Sequence, residues 1–235
     1  MKRVISFVLF ISIAVSGLFA QNWDINTLHR VNGWDGKFVR NYNKFISRSE
    51  PYVAVGVPVA MALTAWVKKD RELLKDAVYV GTSVAGAFVV TYGMKYLADR
   101  DRPYDRYPDR VHPYSYESSP SFPSGHTASA FALATSLSIK YPKWYVIAPS
   151  ALWACSVGVS RMNEGVHYPS DVLAGAAIGA GCAVVNVYVN RWLNRWLFGH
   201  GCAPLPNRIS FCFEVAEGYG YRSVGTLLHC LTIVW

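Results

Sequence analysis

The sequence predicts an all-α fold, a polytopic bundle of five or six helices that cross a membrane. Of the 235 residues, 52% are hydrophobic and only 16% are charged, whereas about a quarter of the residues in a soluble domain carry a charge. The hydrophobic residues also gather into separate runs of helix length, and the charges fall in short clusters between them. Sparse charge and segregated runs together indicate that lipid covers much of the surface.

The first apolar run lies at the N-terminus. Two basic residues precede an apolar stretch that ends at Ala20, which is typical of a secretory signal peptide, although Leu18 replaces the small residue preferred near a cleavage site. An uncleaved first transmembrane helix fits residues 1–20 equally well. Both interpretations place residue 21 across the membrane.

The next segment, residues 21–51, is polar with interspersed aromatic side chains. Four of these aromatic residues recur at helical spacing: Trp34, Phe38, Tyr42 and Phe45. The spacing predicts an amphipathic helix that lies at the membrane interface. A packed connecting segment is the alternative.

Five further apolar runs follow. They cover residues 52–67, 77–97, 126–141, 144–160 and 171–190. A membrane span needs about 20 apolar residues, so these runs are slightly short, but they are rich in the small residues that membrane helices use where they pack closely. In the last run these include Gly175, Gly179 and Gly181. A buried bundle in a soluble enzyme would look similar, so the membrane prediction depends on all the runs together.

The loops differ in charge. Basic residues lie within 68–75 and 140–143, and beyond the last run at Arg191 and Arg195. If each run crosses once, these places share one side of the membrane, which the positive-inside rule makes cytoplasmic. We therefore expect an integral protein of a bacterial inner membrane whose segments 98–125 and 161–170 face the periplasm.

The net charge of +8 would also suit a nucleic-acid-binding protein. The basic residues flank apolar runs, however, so we expect membrane lipids as partners and no nucleic acid. The five cysteines show no metal-ligand spacing, and we expect no metal and no other cofactor. The tail, residues 199–235, contains a strand-like alternation to which the sequence assigns no role, and no oligomeric state is indicated.

Three polar clusters lie at the outer ends of apolar runs. They read K-Y-L-A-D-R-D-R-P from Lys95, P-S-G-H from Pro123, and S-R-M-N-E-G-V-H-Y-P-S-D from Ser160. Because alternate ends of consecutive membrane helices meet at the same face, we expect all three clusters to lie together.

The cations in these clusters suit a phosphate group. Lys95, Arg102 and Arg161 would be costly at the ends of packed membrane helices unless anions paired with them. Arginine binds phosphate oxygens bidentately, and lysine adds a point charge. Ser124 and Gly125 precede a helix expected to begin near residue 126, whose free N–H groups would bind the same anion. A simple N-cap role for Ser124 is the alternative.

The clusters also contain two histidines. Asp171 follows His167 by four residues, so its carboxylate can fix the imidazole tautomer and make the other ring nitrogen more nucleophilic. His126 is then free to act as a general acid. A histidine in a membrane bundle is often only a satisfied polar group, but two beside a phosphate-binding cluster favour chemistry.

Together the clusters resemble the full signature of the type 2 phosphatidic acid phosphatase (PAP2) superfamily, K-x6-R-P, P-S-G-H and S-R-x5-H-x3-D. Every specified position is present and in order. The resemblance implies a helical core like that of acid phosphatases and haloperoxidases. It predicts a catalytic membrane domain over residues 52–198, between the N-terminal segments and the tail.

The resemblance also implies a role for each residue. His167 would attack phosphorus and form a phosphohistidine, Asp171 would orient the imidazole, and His126 would protonate the leaving oxygen. The phosphoryl oxygens would be held by Lys95, Arg102, Ser124, Gly125 and Arg161. No metal would be required, because these cations would stabilise the developing charge.

The superfamily also contains soluble acid phosphatases and vanadate-dependent haloperoxidases, which are the alternatives. The apolar runs favour its lipid phosphatases, which act on phosphatidic acid, phosphatidylglycerol phosphate, isoprenyl diphosphates or lipid A. An outward-facing site favours the last two. The tyrosines and paired charges of loop 98–122 either line a headgroup entrance or form a solvated loop held by local ion pairs. The intact pair of His167 and Asp171 argues against a non-enzymatic membrane protein.

Overall fold

A computed structural model describes residues 23–198 of the chain. The predicted signal peptide or first span, residues 1–20, lies outside the described residues, and so do the tail and its three cysteines. The described residues therefore cover positions 23–51 and the segment 52–198, which was predicted to be a separate domain.

The described residues form seven helices. They are α1 (23–32), α2 (Lys37–Lys68), α3 (Arg71–Ala98), α4 (Pro103–Arg106), α5 (Gly125–Lys140), α6 (Trp144–Asn163) and α7 (Pro169–Phe198). Between residues 23 and 198 there is no strand, and the predicted all-α fold is confirmed. Residues 107–124 form a long loop between α4 and α5.

Helix α2 is longer than its apolar run. The second half of the predicted amphipathic segment 21–51, residues 37–51, continues directly into the run 52–67 as one helix of 32 residues. At 1.5 Å per residue the helix is about 48 Å long, which exceeds the hydrocarbon core of about 30 Å. The N-terminal part, with its exposed Phe38 and Phe45, therefore extends beyond the apolar part of the bundle.

Helix α5 is the centre of the bundle. It packs against α2, α3, α6 and α7, and every residue of α5 except Ile139 is buried or half-buried. This position explains why α5 needs only 16 residues. Its sides are covered by other helices and not by lipid.

Two glycines let α7 approach α5 closely. A Cβ atom on Gly179 would lie 2.1 Å from the Ala128 carbonyl oxygen, and one on Gly175 would lie 2.5 Å from the Ser124 carbonyl oxygen. Both positions confirm the expected small-residue contact. Gly181 does not belong to it, because a Cβ there would meet nothing within 4 Å.

Large apolar side chains cover the outside of the bundle. Exposed examples occur on α2, α3, α6 and α7: Val59, Leu63, Trp66, Phe88, Val89, Leu152, Leu173, Val184 and Val185. Within residues 23–198, three helical segments are long and apolar enough to cross a membrane, namely Lys37–Lys68, Arg71–Arg106 and Pro169–Arg191. The protein is an integral membrane protein, and the number of five or six spans stays a prediction.

The basic loops lie together at one end of the bundle. Lys140, at the end of α5, forms an ion pair of 2.9 Å with Asp76 in α3. The Tyr141 hydroxyl donates to the same carboxylate at 3.0 Å. The start of α3 and the end of α5 therefore share one end, and the three polar clusters occupy the other.

The contact between α5 and α7 generates a prediction about stability. Gly179→Ala places a methyl group against the backbone of α5, and we expect it to lower the free energy of unfolding by about 1–3 kcal/mol. Gly181→Ala is the matched control, which should leave stability unchanged or raise it by up to about 1 kcal/mol, since alanine is the better helix former. Thermal unfolding of both variants in detergent measures the difference. Equal melting temperatures would contradict the close approach.

Candidate active site

The structure brings the candidate site residues of the three polar clusters to one end of the bundle. Lys95 lies in the last turn of α3, Arg102 precedes α4, and Arg161 lies in the last turn of α6. Ser124, Gly125 and His126 form the start of α5. His167 lies in the short loop between α6 and α7, and Asp171 lies in the first turn of α7. Four helix ends and two loops thus build one site.

Asp171 is held by several donors at once. The backbone N–H of Tyr168 and the hydroxyl of Ser121 donate to its Oδ2 atom at 2.9 and 2.5 Å. Arg100 donates to Oδ1 at 2.5 Å. The carboxylate is completely buried, so this set of donors fixes both its ionised form and its orientation.

His167 lies beside this carboxylate. Its Nδ1 atom is 3.6 Å from Oδ2 of Asp171, which is too long for a hydrogen bond. Catalytic hydrogen bonds often tighten only when substrate binds. As expected, Asp171 lies in the first turn of a helix and its carboxylate is near His167. The Nδ1 atom of His167 therefore faces this carboxylate.

The imidazole of His167 is neutral at ordinary pH. Burial lowers its pKa to about 3, and the guanidinium groups of Arg161 and Arg102 act in the same direction, whereas Asp171 opposes them. A neutral imidazole keeps a lone pair available, which nucleophilic attack requires.

The two signature arginines are buried and share one carboxylate. Arg102 donates through Nη2 to Oε2 of Glu117 at 2.8 Å, and Arg161 donates to Oε1 of the same residue. Arg161 also pairs with Glu164 at 2.9 Å. Each buried cation therefore has an anionic partner, as burial of charge demands.

Several residues of this site are not predicted by the sequence. Glu117, Ser121 and Arg100 all come from the stretch 98–122, for which one of the two interpretations is a solvated loop held by local ion pairs. Local pairing is wrong for Arg100, whose partners lie on α1 and α7, whereas Arg102 pairs with Glu117 within the loop. No spacing rule marks these partners, because they lie 15 to 76 residues away.

Helix α1 is attached to the site through Asp24. Its carboxylate pairs with Arg100 at 3.0 Å and accepts from the backbone N–H and the hydroxyl of Ser170 at 2.9 and 2.5 Å. The Arg100 guanidinium also stacks over the Tyr168 ring, 3.9 Å from its centre. Arg100 therefore links α1 to α7, because its guanidinium pairs with the carboxylates of both Asp24 and Asp171.

A cavity of about 800 Å³ leads from the bundle surface to the site. Its walls are apolar and come from α2 and α3, with Val55, Val59 and Phe88 among them. Its polar end is lined by Lys95, Glu50, Glu117, Gly125, His126 and His167. The cavity thus suits a molecule with one apolar and one anionic part.

Across residues 23–198 no group of three or more His, Cys, Asp or Glu side chains is arranged to hold a metal ion. The positive charge next to His167 comes from lysine and arginine side chains. Independence from metal stays a prediction.

The sequence of this chain is similar to those of known proteins. The sequence profile of the PAP2 superfamily matches residues 76–195. The chain is 47% identical over 62 residues to a lipid A 1-phosphatase of Porphyromonas gingivalis, covering 25% of this chain and 14% of that protein. It is 32% identical over 143 residues to an undecaprenyl-diphosphatase of Sulfolobus acidocaldarius, covering 57% and 63%. The chain thus spans less than two thirds of either relative.

A solved structure shows the same fold. The crystal structure of Aquifex aeolicus LpxE superposes with a TM-score of 0.62 at 24% sequence identity, covering 71% of this chain and 95% of that one. At this identity the likeness concerns the fold alone. It agrees with the all-helical arrangement described above.

The attachment of α1 generates a prediction. Asp24→Asn removes the charge that pairs with Arg100, and we expect it to lower the free energy of unfolding by about 1–3 kcal/mol and to expose α1 to trypsin at Arg30. Asp35→Asn, in the exposed turn between α1 and α2, is the matched control and should behave as the unmodified protein. Limited proteolysis and thermal unfolding in detergent measure both effects. Identical cleavage of the two variants would contradict the anchoring role of Asp24.

Proposed function

This chain belongs to the PAP2 superfamily, and from that premise we propose that it is a membrane phosphatase that hydrolyses a phosphate monoester or diphosphate of a lipid. The observation that carries the proposal is the cavity between α2 and α3. Its walls are apolar, and its polar end holds His126, His167 and Lys95. A lipid has the same division into an apolar body and an anionic head.

The first chemical step is a displacement at phosphorus. His167 is buried and neutral, and its Nδ1 side faces Asp171, so its other ring nitrogen attacks the phosphorus atom. A nitrogen–phosphorus bond forms, and the bond from phosphorus to the lipid oxygen breaks. His126 gives its proton to that oxygen. Asp171 stabilises the positive imidazole ring in the phosphohistidine.

The second step releases phosphate. A water molecule gives a proton to His126 and attacks phosphorus, the nitrogen–phosphorus bond breaks, and His167 returns to its neutral form. A dianionic phosphate beside His126 favours the protonated imidazole, which the first step needs. Lys95, Arg102 and Arg161 compensate the charge that develops on the phosphoryl oxygens, the part that metal ions have in other phosphoryl transfers.

The substrate that we propose is lipid A or an isoprenyl diphosphate. The relatives named above are a lipid A 1-phosphatase and an undecaprenyl-diphosphatase, and both substrate names describe a phosphate attached to a large apolar body. The apolar cavity walls support either one.

We also propose that the site faces the periplasm from a bacterial inner membrane. The basic residues Lys68, Lys69, Arg71, Lys140 and Lys143 lie at the end of the bundle opposite the site. By the positive-inside rule that end is cytoplasmic. The catalytic end then meets lipids of the outer leaflet.

The proposed nucleophile is tested by substitution. His167→Ala should reduce phosphate release from lipid A and undecaprenyl diphosphate by at least about a thousandfold, because it removes the imidazole that attacks phosphorus, and His126 is assigned to proton transfer. Purified protein in detergent is assayed in buffer with EDTA, since the proposed mechanism requires no metal. The control is His112→Ala, whose side chain is exposed away from the cavity. Turnover by folded His167→Ala protein at the normal rate, or loss of normal turnover on chelation, would refute the mechanism.

The proposed orientation is tested by labelling in intact cells. Single cysteines at Lys69 and Asp109, both exposed, are introduced after the five native cysteines are replaced. A membrane-impermeant thiol reagent should label position 109 and spare position 69, because only the first is expected outside. The reverse pattern would place the site in the cytoplasm.

A further inference from the structure

The segment Glu117–Pro120 lies against the cations that are expected to bind phosphate. Glu117 contacts both Arg102 and Arg161, as described above. Lys95 donates to the carbonyl oxygen of Pro120. All three signature cations therefore direct a donor at an oxygen atom of this one short segment.

Arg102 contacts the segment most extensively. Its Nε atom donates to the carbonyl oxygen of Ser119 at 2.8 Å, and its Nη2 atom donates to the Ser119 hydroxyl at 3.2 Å in addition to Glu117. Several oxygens with a net negative charge thus gather at the fork of the guanidinium. A phosphoryl group would present the same kind of partner to the same donors.

Glu117 differs from the other carboxylate on Arg161. The side chain of Glu164 is 4% exposed and also accepts from the hydroxyls of Ser47 and Ser115, so it is a fixed partner. The side chain of Glu117 is 27% exposed and lines the cavity beside His126 and His167. Glu117 therefore lies on the substrate side of the arginines, with a path to water.

We propose that Glu117 is an internal competitor of the substrate phosphate and thereby determines the affinity of the site for its anion. Its two carboxylate oxygens hold Arg102 and Arg161 until a phosphoryl group replaces them. The exchange keeps each buried guanidinium paired with an anion, which a low-dielectric site requires. For a lipid substrate this inference rests on the proposed function, but binding of free phosphate can be measured without turnover.

The backbone of Glu117 is held at one point. The Tyr104 hydroxyl donates to the Glu117 carbonyl oxygen at 2.9 Å and lies 3.3 Å from the Glu117 nitrogen, which donates to it. Tyr104→Phe removes both contacts but keeps the carboxylate. It should therefore weaken the competitor without deleting it.

The alternative is that Glu117 permanently orients the two arginines, as Glu164 does for Arg161. The two roles predict opposite signs. If Glu117 competes, its removal strengthens phosphate binding, because the apparent affinity rises with the fraction of molecules whose site is open. If it orients the arginines, its removal weakens phosphate binding.

The test is isothermal titration of detergent-purified protein with inorganic phosphate. We expect Glu117→Gln and Glu117→Ala each to lower the dissociation constant by about tenfold, as follows for a competitor that occupies the site about nine-tenths of the time. Tyr104→Phe should shift the constant in the same direction by a smaller factor. Glu72→Gln, the same substitution at an exposed ion pair of α3, is the control and should leave phosphate binding unchanged.

The outcomes separate this inference from the proposed function. A dissociation constant that rises in both Glu117 variants, or that matches the Glu72→Gln control, overturns the competitor role even if the enzyme hydrolyses lipids normally. Tighter phosphate binding in folded Glu117 variants supports the role even if no lipid is hydrolysed. Thermal unfolding confirms that each variant is folded before titration.

Discussion

The burial of three cations at one end of a membrane bundle is the constraint on which the rest of the site depends. Lys95, Arg102 and Arg161 are all buried, where an unpaired charge would cost several kcal/mol, and loss of one partner typically costs about 3–5 kcal/mol. The loop between α4 and α5 supplies oxygens for all three. The path of that loop is therefore determined by the cations as much as by its own sequence.

The same constraint explains the anionic side of the site. Asp171 is as deeply buried as the arginines, and it is matched with Arg100, which is matched in turn with Asp24. These contacts join α1, the loop that follows α3 and the first turn of α7. Helix α7 approaches α5 closely at Gly175. Near this point the backbone N–H of Ser124 donates to the Asp171 carbonyl oxygen at 3.1 Å. Helix packing and charge pairing thus fix the same few atoms.

Much of this arrangement could be predicted from the sequence, for identifiable reasons. The runs 77–97 and 144–160 lie within helices α3 and α6, because long apolar runs bounded by charges leave the chain few alternatives in a membrane. The signature clusters were found because their spacing is local. The continuity of α2 was missed because polarity changes near Glu50 while the helix does not end there. Asp24 and Glu117 were missed because their roles depend on partners distant in sequence.

The cavity has an apolar wall and a cationic end, and the two parts have different roles in binding and catalysis. Under the proposed function, a lipid enters sideways between α2 and α3 with its apolar part against Val55, Val59 and Phe88. Its phosphate meets the cations where the helices end. There it exchanges water and counterions for fixed guanidinium groups. Affinity for the apolar part and charge compensation at phosphorus then come from different walls of one cavity. The apolar wall holds substrate and transition state alike, whereas the cationic end gains strength as charge develops on the phosphoryl oxygens, and only the latter accelerates the reaction.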